Sequence, residues 1–249
     1  MTVVIGHRGN SSVAPQNTIV AFEAAWRAGA HGIEIDVQLT ADGEVVVIHD
    51  DTVDATTDGS GEVRAMTVAE VRDLDAGSWF SPTFAGERVP TFDEVLDLLL
   101  TRPDLDLLLE VKGEWTVEQV RPLTQAVDSA GLGSRVIAQS FWPGTVAALQ
   151  EAAPALRRGL LVAAVHDDLI GLCRTLDVVT CNPHGQLLLD HPGLVDELHA
   201  AGLAVMVWTL DEPEQWAAAT QAGVDAIITD RPDRLVGWLA GRSVGAMVA

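Results

Sequence analysis

The sequence predicts a (β/α)₈ TIM barrel with a small inserted subdomain after the second strand, and three observations lead there. The chain has 249 residues, the size of one closed α/β barrel. Ala-rich helical stretches stop at Ala28-Gly29, Ala130-Gly131, Ala201-Gly202 and Ala222-Gly223, each followed by a short apolar run. Glycine just past a helix end closes the last turn in the left-handed conformation, so each is the αβ half of a parallel unit. Finally, eight β-branched or Leu-rich runs alternate with helical stretches, which argues for a closed barrel over an open sheet.

The strands are expected at Val3 to Gly6, Gly32 to Val37, Leu105 to Val111, Arg135 to Ser140, Gly159 to Ala163, Asp177 to Cys181, Ala204 to Trp208 and Asp225 to Thr229. The whole chain, 1–249, reads as one domain. Its irregular part lies between Val37 and Thr91, where more than fifty residues replace a short connection. Asp42-Gly43 is a hairpin turn signal, with extended chain at Gln38 to Thr40 and a strand at Val45 to Ile48. A two-residue turn there pairs Ala41 with Glu44, Val37 with Ile48 and Asp36 with His49. Opposed residues share a face, and alternation puts Glu34 on the face of Asp36. Residues 50–88 are rich in Thr, Asp, Gly and Ser and read as the insertion over one barrel end, with a short helix from Thr67 to Leu74 capped by Thr67 and Glu70.

Composition narrows the function. Hydrophobic residues at 48 % with charged residues at 20 % exclude a disordered chain. A formal charge of −21 opposes nucleic-acid binding and stable membrane association. Cys173 and Cys181 make neither a disulfide framework nor a zinc ribbon and read as buried thiols. The start, Met1-Thr2-Val3-Val4-Ile5, has no signal-like region, and no run is long and apolar enough to span a bilayer. A cytoplasmic enzyme-sized protein, monomer or homodimer, is the expectation.

Barrel chemistry sits at the C-terminal ends of the strands. Those ends supply His7 and Arg8, Glu34 and Asp36, His49 on the return strand of the hairpin, Glu110 and Lys112 (the single Lys), Gln139 and Ser140, Trp208 and Thr209, and Thr229 and Asp230. Glu110 follows Leu107-Leu108-Leu109, and Glu34 lies between Ile33 and Ile35. A buried carboxylate costs several kcal/mol, roughly, unless paired or metal-bound. Three acids at one mouth repel unless a divalent cation joins them, and all-oxygen ligands suit Mg²⁺, Ca²⁺ or Mn²⁺ over zinc. Arg8 and Lys112 fit an anionic, phosphate-like group, and two His residues can serve as general acid and base. The set points to metal-assisted phosphoester cleavage, with a metal-dependent sugar isomerase as another barrel possibility. Bland readings stand beside it: Glu34 and Asp36 as an ion-pair ladder with barrel arginines, and Glu110 with Lys112 as a plain buried pair. His31 falls at the opposite barrel end, His199 near a helix C-terminus, and His166 and His191 on the surface. His184 falls at the functional face, and Asp50-Asp51 reads as a solvated pair.

These residues resemble the glycerophosphodiester phosphodiesterase family. The resemblance rests on Gly6-His7-Arg8-Gly9, Pro15-Gln16-Asn17-Thr18, Glu34-Ile35-Asp36-Val37, Thr40-Ala41-Asp42-Gly43, His49-Asp50, Thr56-Thr57-Asp58-Gly59-Ser60-Gly61, Pro90-Thr91, Glu110-Val111-Lys112, Ser140-Phe141, Val207-Trp208-Thr209 and Gly223-Val224-Asp225 through Thr229-Asp230-Arg231-Pro232. It implies hydrolysis of glycerophosphodiesters to sn-glycerol 3-phosphate and an alcohol. It also implies one divalent metal, Ca²⁺ or Mg²⁺, on Glu34, Asp36 and Glu110, and Arg8 and Lys112 on the phosphate. His7 and His49 are the implied acid–base pair, His7 as base and His49 as acid by analogy with related barrels. Phe141 and Trp208 are candidates for the wall against glycerol. Three positions depart from the family pattern: Gln16 where Glu is usual, Ala55 where a basic residue is frequent, and Asp211 where Asn is frequent. A lysophospholipase D-type enzyme, with Trp79, Phe80 and Phe84 offering apolar surface, and a non-catalytic binding protein on the same fold are the alternatives.

Overall fold

A computed structural model describes residues 2–248. Its elements are β1 (Val3–His7), α1 (Ile19–Arg27), β2 (Gly32–Leu39), β3 (Val45–Val47), α2 (Val68–Arg72), α3 (Phe92–Thr101), β4 (Asp106–Val111), α4 (Val117–Ser129), β5 (Val136–Ser140), α5 (Pro143–Ala152), β6 (Arg157–Val162), α6 (Leu169–Thr175), β7 (Thr180–Pro183), α7 (Gly185–Asp190), α8 (Leu194–Ala200), β8 (Ala204–Val207), α9 (Pro213–Gln221), β9 (Ala226–Thr229) and α10 (Pro232–Val248). The sheet order is β1-β9-β8-β7-β6-β5-β4-β2-β3, and β1 also pairs with β2. Every pairing except β2 with β3 is parallel among the described strands. The sheet therefore closes as a TIM barrel, with β3 as an antiparallel addition outside the ring.

The helix stops behave as their sequence implies. Gly29, Gly131, Gly202 and Gly223 have φ of 84°, 69°, 83° and 83°, each just past the C-caps Ala28, Ala130, Ala201 and Ala222. Thr18 caps α1, and capping boxes at Thr67, Thr91 and Thr116 open α2, α3 and α4. Period-two alternation then divides each strand. Ile33, Ile35 and Val37 of β2 and Leu107, Leu109 and Val111 of β4 pack outward against helices. Ile5, Leu108, Ala226 and Ile228 fill the lower barrel interior. The residues between the outward ones turn polar toward the C-terminal end, and that switch creates the site.

The hairpin after β2 differs from its expected register. Val37 pairs with Val47 and Leu39 with Val45, one residue short of the expected pairing. The loop is three residues, not two. Gly43 donates its N–H to the Thr40 carbonyl at φ 83°, a type I turn followed by a left-handed glycine that adds a bulge. His49 is therefore not opposed to Asp36, whose carbonyl instead accepts the N–H of Ile48, one residue earlier, at 3.0 Å. The site brings them together by another route, given below. From residue 50 to residue 88 the chain packs its own small core, where Val53, Val63, Val71 and Ala76 meet Val46 and Ile48 of the hairpin and Val89. No helix among the described residues is long and apolar enough to cross a membrane.

Candidate active site

Strand register assembles the polar side chains. His7 of β1 is the partner of Glu34 on β2, Asp36 of β2 is the partner of Glu110 on β4, and Glu110 is the partner of Gln139 on β5. The spacing of two keeps Glu34 with Asp36, and Glu110 with Lys112, on the interior face. Glu34, Asp36 and Glu110 are 2 %, 1 % and 6 % exposed. Each offers one carboxylate oxygen, and the three oxygens lie within 4.8 Å of one another.

Three buried carboxylates in one place are an electrostatic problem that the site solves only in part. Arg8 Nε lies 3.2 Å from Asp36 Oδ2, and Lys112 Nζ lies 2.7 Å from Glu110 Oε1 and 3.6 Å from Asp36 Oδ1. Burial raises the Asp36 carboxyl, but Arg8, His49 and Lys112 together outweigh it and hold the group below its ordinary range. Glu34 is driven well above its ordinary range by burial and by Asp36 and Glu110. Glu110 is pushed up to about 7 by burial and by Asp36, against the pull of Lys112. Two cations leave three acids undercharged, and Asp36 Oδ1 is buried without a hydrogen-bond donor. This donor set, all oxygen and short of positive charge, fits a divalent cation of the Mg²⁺, Ca²⁺ or Mn²⁺ kind.

The two imidazoles are each held at Nδ1. His7 Nδ1 is 2.7 Å from Asp230 Oδ1, which also accepts from Ser11 Oγ at 2.8 Å. His49 Nδ1 is 2.6 Å from Asp50 Oδ1. Asp50 is thus a histidine partner, contrary to its reading as half of a solvated pair. His49 reaches the site because Gln38, buried on β2, donates Nε2 to the carbonyls of His49 at 3.0 Å and Asp50 at 2.5 Å. That clamp ends the ladder and folds the chain inward. Burial holds the His49 imidazole below its ordinary pKa, with Arg8 and Lys112 acting in the same direction.

Sequence reasoning gave no partner in the site to Asp230, Asn17 or Gln38, and offered Asn17 only as a cap for the first helix beside Thr18. Asn17, with φ of 56°, donates Nδ2 to Asp36 Oδ2 at 2.9 Å and leaves Thr18 to cap α1. Asp230 was visible as a polar strand end but had no assigned partner, because His7 lies 223 residues away. The departures have local consequences. Gln16 Oε1 accepts from Arg8 Nη1 at 2.6 Å, so a neutral amide positions the guanidinium. Asp211 Oδ1 accepts from Thr229 Oγ1 and from the Asp230 N–H, both at 2.8 Å, and so fixes the backbone of the residue that holds His7. Ala55 is exposed.

These groups face a cavity of about 60 Å³, lined among others by His7, Arg8, Glu34, His49, Glu110 and Lys112, with Phe141 and Trp208 as its aromatic side. The two rings meet edge to face at 5.3 Å, and His184 packs on Trp208 at 4.9 Å. A larger cavity of about 780 Å³ opens at the opposite barrel end, beside His31 and Gly223. Among the described residues, the grouping of possible metal ligands lies at the smaller cavity, not there. His31 accepts the Val4 N–H at Nδ1, His199 pairs with Asp225, and Cys173 and Cys181 are buried free thiols.

Comparison with known proteins gives a consistent result. The model of the glycerophosphoryl diester phosphodiesterase family matches residues 7–234. A glycerophosphodiester phosphodiesterase of Caldanaerobacter subterraneus is 38 % identical over 239 residues, covering 94 % of this chain and 96 % of that protein. The crystal structure of a glycerophosphodiester phosphodiesterase from Agrobacterium tumefaciens aligns with a TM-score of 0.83 at 30 % identity, over 95 % of this chain and 100 % of that one. An Oleispira antarctica phosphodiesterase, solved in complex with the product sn-glycerol-3-phosphate, aligns with a TM-score of 0.84 at 28 % identity, over 96 % of this chain and 97 % of that one.

Proposed function

The chain belongs to the glycerophosphoryl diester phosphodiesterase family, and we propose that it hydrolyses glycerophosphodiesters to sn-glycerol 3-phosphate and an alcohol with His7 and His49 as its acid–base pair. One observation carries the reading. Two imidazoles, each held at Nδ1 by a carboxylate, line one cavity with Glu34 and Glu110 of the acidic cluster, one Arg and the single Lys. With Nδ1 occupied, each ring has Nε2 left for the substrate.

Burial raises the Asp230 carboxyl, but its bonds to His7 and Ser11 outweigh this and hold it ionised. An ionised Asp230 stabilises the imidazolium that forms when His7 takes a proton from the nucleophile. His49, held below its ordinary pKa by burial, releases its proton to the leaving alkoxide more readily than a solvated imidazole does. Arg8 and Lys112 stand beside the acids with charge to offer the phosphoryl oxygens. Glu34, Asp36 and Glu110 would hold the divalent cation. When bound, it supplies Lewis-acid stabilisation of charge on the phosphoryl oxygens. Phe141 and Trp208 present apolar surface to the carbon skeleton of glycerol.

The test is release of sn-glycerol 3-phosphate from a panel of glycerophosphodiesters, in EDTA and with added Mg²⁺, Ca²⁺ or Mn²⁺. Release that EDTA abolishes and one metal restores supports the reading; no release from folded protein with any metal removes it. A second reading, a lysophospholipase D-type activity, is favoured by the exposed Trp79 and by Trp142, packed edge to face on Phe141. Adding lysophosphatidylcholine to the same panel separates the two.

A further inference from the structure

Gln139 is the interior polar residue of β5 that the mechanism does not use. It is 1 % exposed, is the register partner of Glu110, and lines the same cavity as Glu110, Phe141 and Trp208. Its Oε1 accepts from Asn182 Nδ2 of β7 at 2.6 Å. Asn182 is 0 % exposed, so that hydrogen bond is buried. The two amides meet across β6, and this requires Gly159. A Cβ there would lie 2.5 Å from Thr180 Oγ1, 3.1 Å from Asn182 Nδ2 and 3.4 Å from Gln139 Cβ. Alternate strands contribute the side chains of one layer in a barrel of this type, and the missing side chain on β6 lets β5 and β7 touch.

Pinning Oε1 fixes which end of the Gln139 amide is left over. The NH₂ group remains for the cavity, which Glu34 and Glu110 also line. An amide carbonyl turned toward those carboxylates would be repelled, whereas a donor is attracted. The cavity already has Arg8 and Lys112 for an anion. A neutral, rigidly oriented donor suits a neutral hydroxyl, which can accept from it.

We propose that Gln139 is a specificity residue that donates its Nε2 hydrogen to a hydroxyl of the substrate's glycerol moiety, and that Asn182 is the positioning residue that fixes the amide in that orientation. The assignment rests on the glycerophosphodiester reading and names the part of the substrate recognised. A site built to hydrogen-bond a hydroxyl rejects ligands that lack it, because its donor is then left unpaired.

The experiment is calorimetric binding of two phosphate monoesters, sn-glycerol 3-phosphate and ethyl phosphate, with Mg²⁺ present. They share the phosphate and differ in the hydroxyls. The parent protein is expected to prefer glycerol 3-phosphate. Gln139→Leu should reduce that preference by roughly tenfold or more, the worth of one hydrogen bond, with ethyl phosphate affinity within about twofold of the parent. Asn182→Asp places only acceptors opposite Gln139, turns its carbonyl to the cavity, and should reduce the same ratio. A framework role would weaken both ligands alike and leave the ratio unchanged. Should the Leu variant fail to fold, Gln139→Glu reads the same ratio. An unchanged preference in these variants, or equal weakening of both ligands, overturns the proposal. A parent that hydrolyses glycerophosphodiesters yet binds both monoesters equally overturns it too, while leaving the functional reading intact. A parent that hydrolyses no glycerophosphodiester sinks the reading itself.

Discussion

Glu110→Gln separates the cost of the acidic cluster from its use. A buried Glu110 with its pKa pushed from 4.5 to about 7 holds its proton more tightly in the native than in the unfolded chain. Between those pH values the native state binds more protons, so stability falls as pH rises, and above about 7 the full penalty is present. The displacement corresponds to about 3 kcal/mol. Gln matches the protonated form in shape and charge and never incurs that cost. In EDTA, the variant and the parent should therefore have similar stability near pH 4.5, and the variant should gain about 3 kcal/mol by pH 8. For a chain of this length that is roughly 6 to 12 °C in Tm. Glu34 is raised partly by Glu110, so losing that charge adds to the gain. Depression of His49 has the opposite pH dependence, but it is common to both proteins. Urea unfolding at pH 4.5, 6 and 8 measures the difference, and saturating Mg²⁺ should reverse its sign by favouring the parent. A variant no more stable than the parent at pH 8 in EDTA, or more stable by the same amount at every pH, would refute the reasoning.

Three other outcomes follow from the geometry. His7→Ala and His49→Ala should each lower kcat by at least about a hundredfold with Mg²⁺ still bound, as single-turnover rates and metal titration together report. Asp230→Asn removes the charge that supports the His7 imidazolium and should lower kcat by at least about tenfold with little change in KM; a KM effect alone would make Asp230 a binding residue. Gly9→Ala puts a Cβ 2.6 Å from the Ala21 carbonyl carbon at φ 88°, and should lose at least about 2 kcal/mol in chemical denaturation.

The barrel was legible because its signals are local. A glycine after a helix end and a short apolar run each depend on a few neighbouring residues, and four Ala-Gly stops repeat the same αβ junction. The strand read at Asp177 to Cys181 shows the limit. The structure places β7 at Thr180–Pro183, because Asp177 takes a φ of 48° after α6 and the strand starts later. Asn182-Pro183 looks like loop, since proline removes a ladder donor, and so Asn182 escaped notice as an interior residue. The pairings that complete the site escaped for a related reason. Asp230 and His7 are 223 residues apart and Asn182 and Gln139 are 43 apart. Barrel closure makes the first pair neighbours, and the missing side chain at Gly159 lets the second pair touch.

The hairpin shows how a wrong register can still yield a right neighbourhood. Expected pairing put His49 opposite Asp36, and the extra loop residue moves every ladder partner by one. In a long ladder this would have turned His49 to the other face. Here β3 is three residues long, so ladder order ends before His49 and cannot dictate its direction. Gln38 dictates it instead, through its bonds to the His49 and Asp50 carbonyls. Gln38 is buried beside an otherwise apolar β2 ending, where an unpaired amide would be costly, and the inward turn of the chain satisfies it. His49 thus owes its place to a buried polar side chain two residues after Asp36, more than to strand pairing.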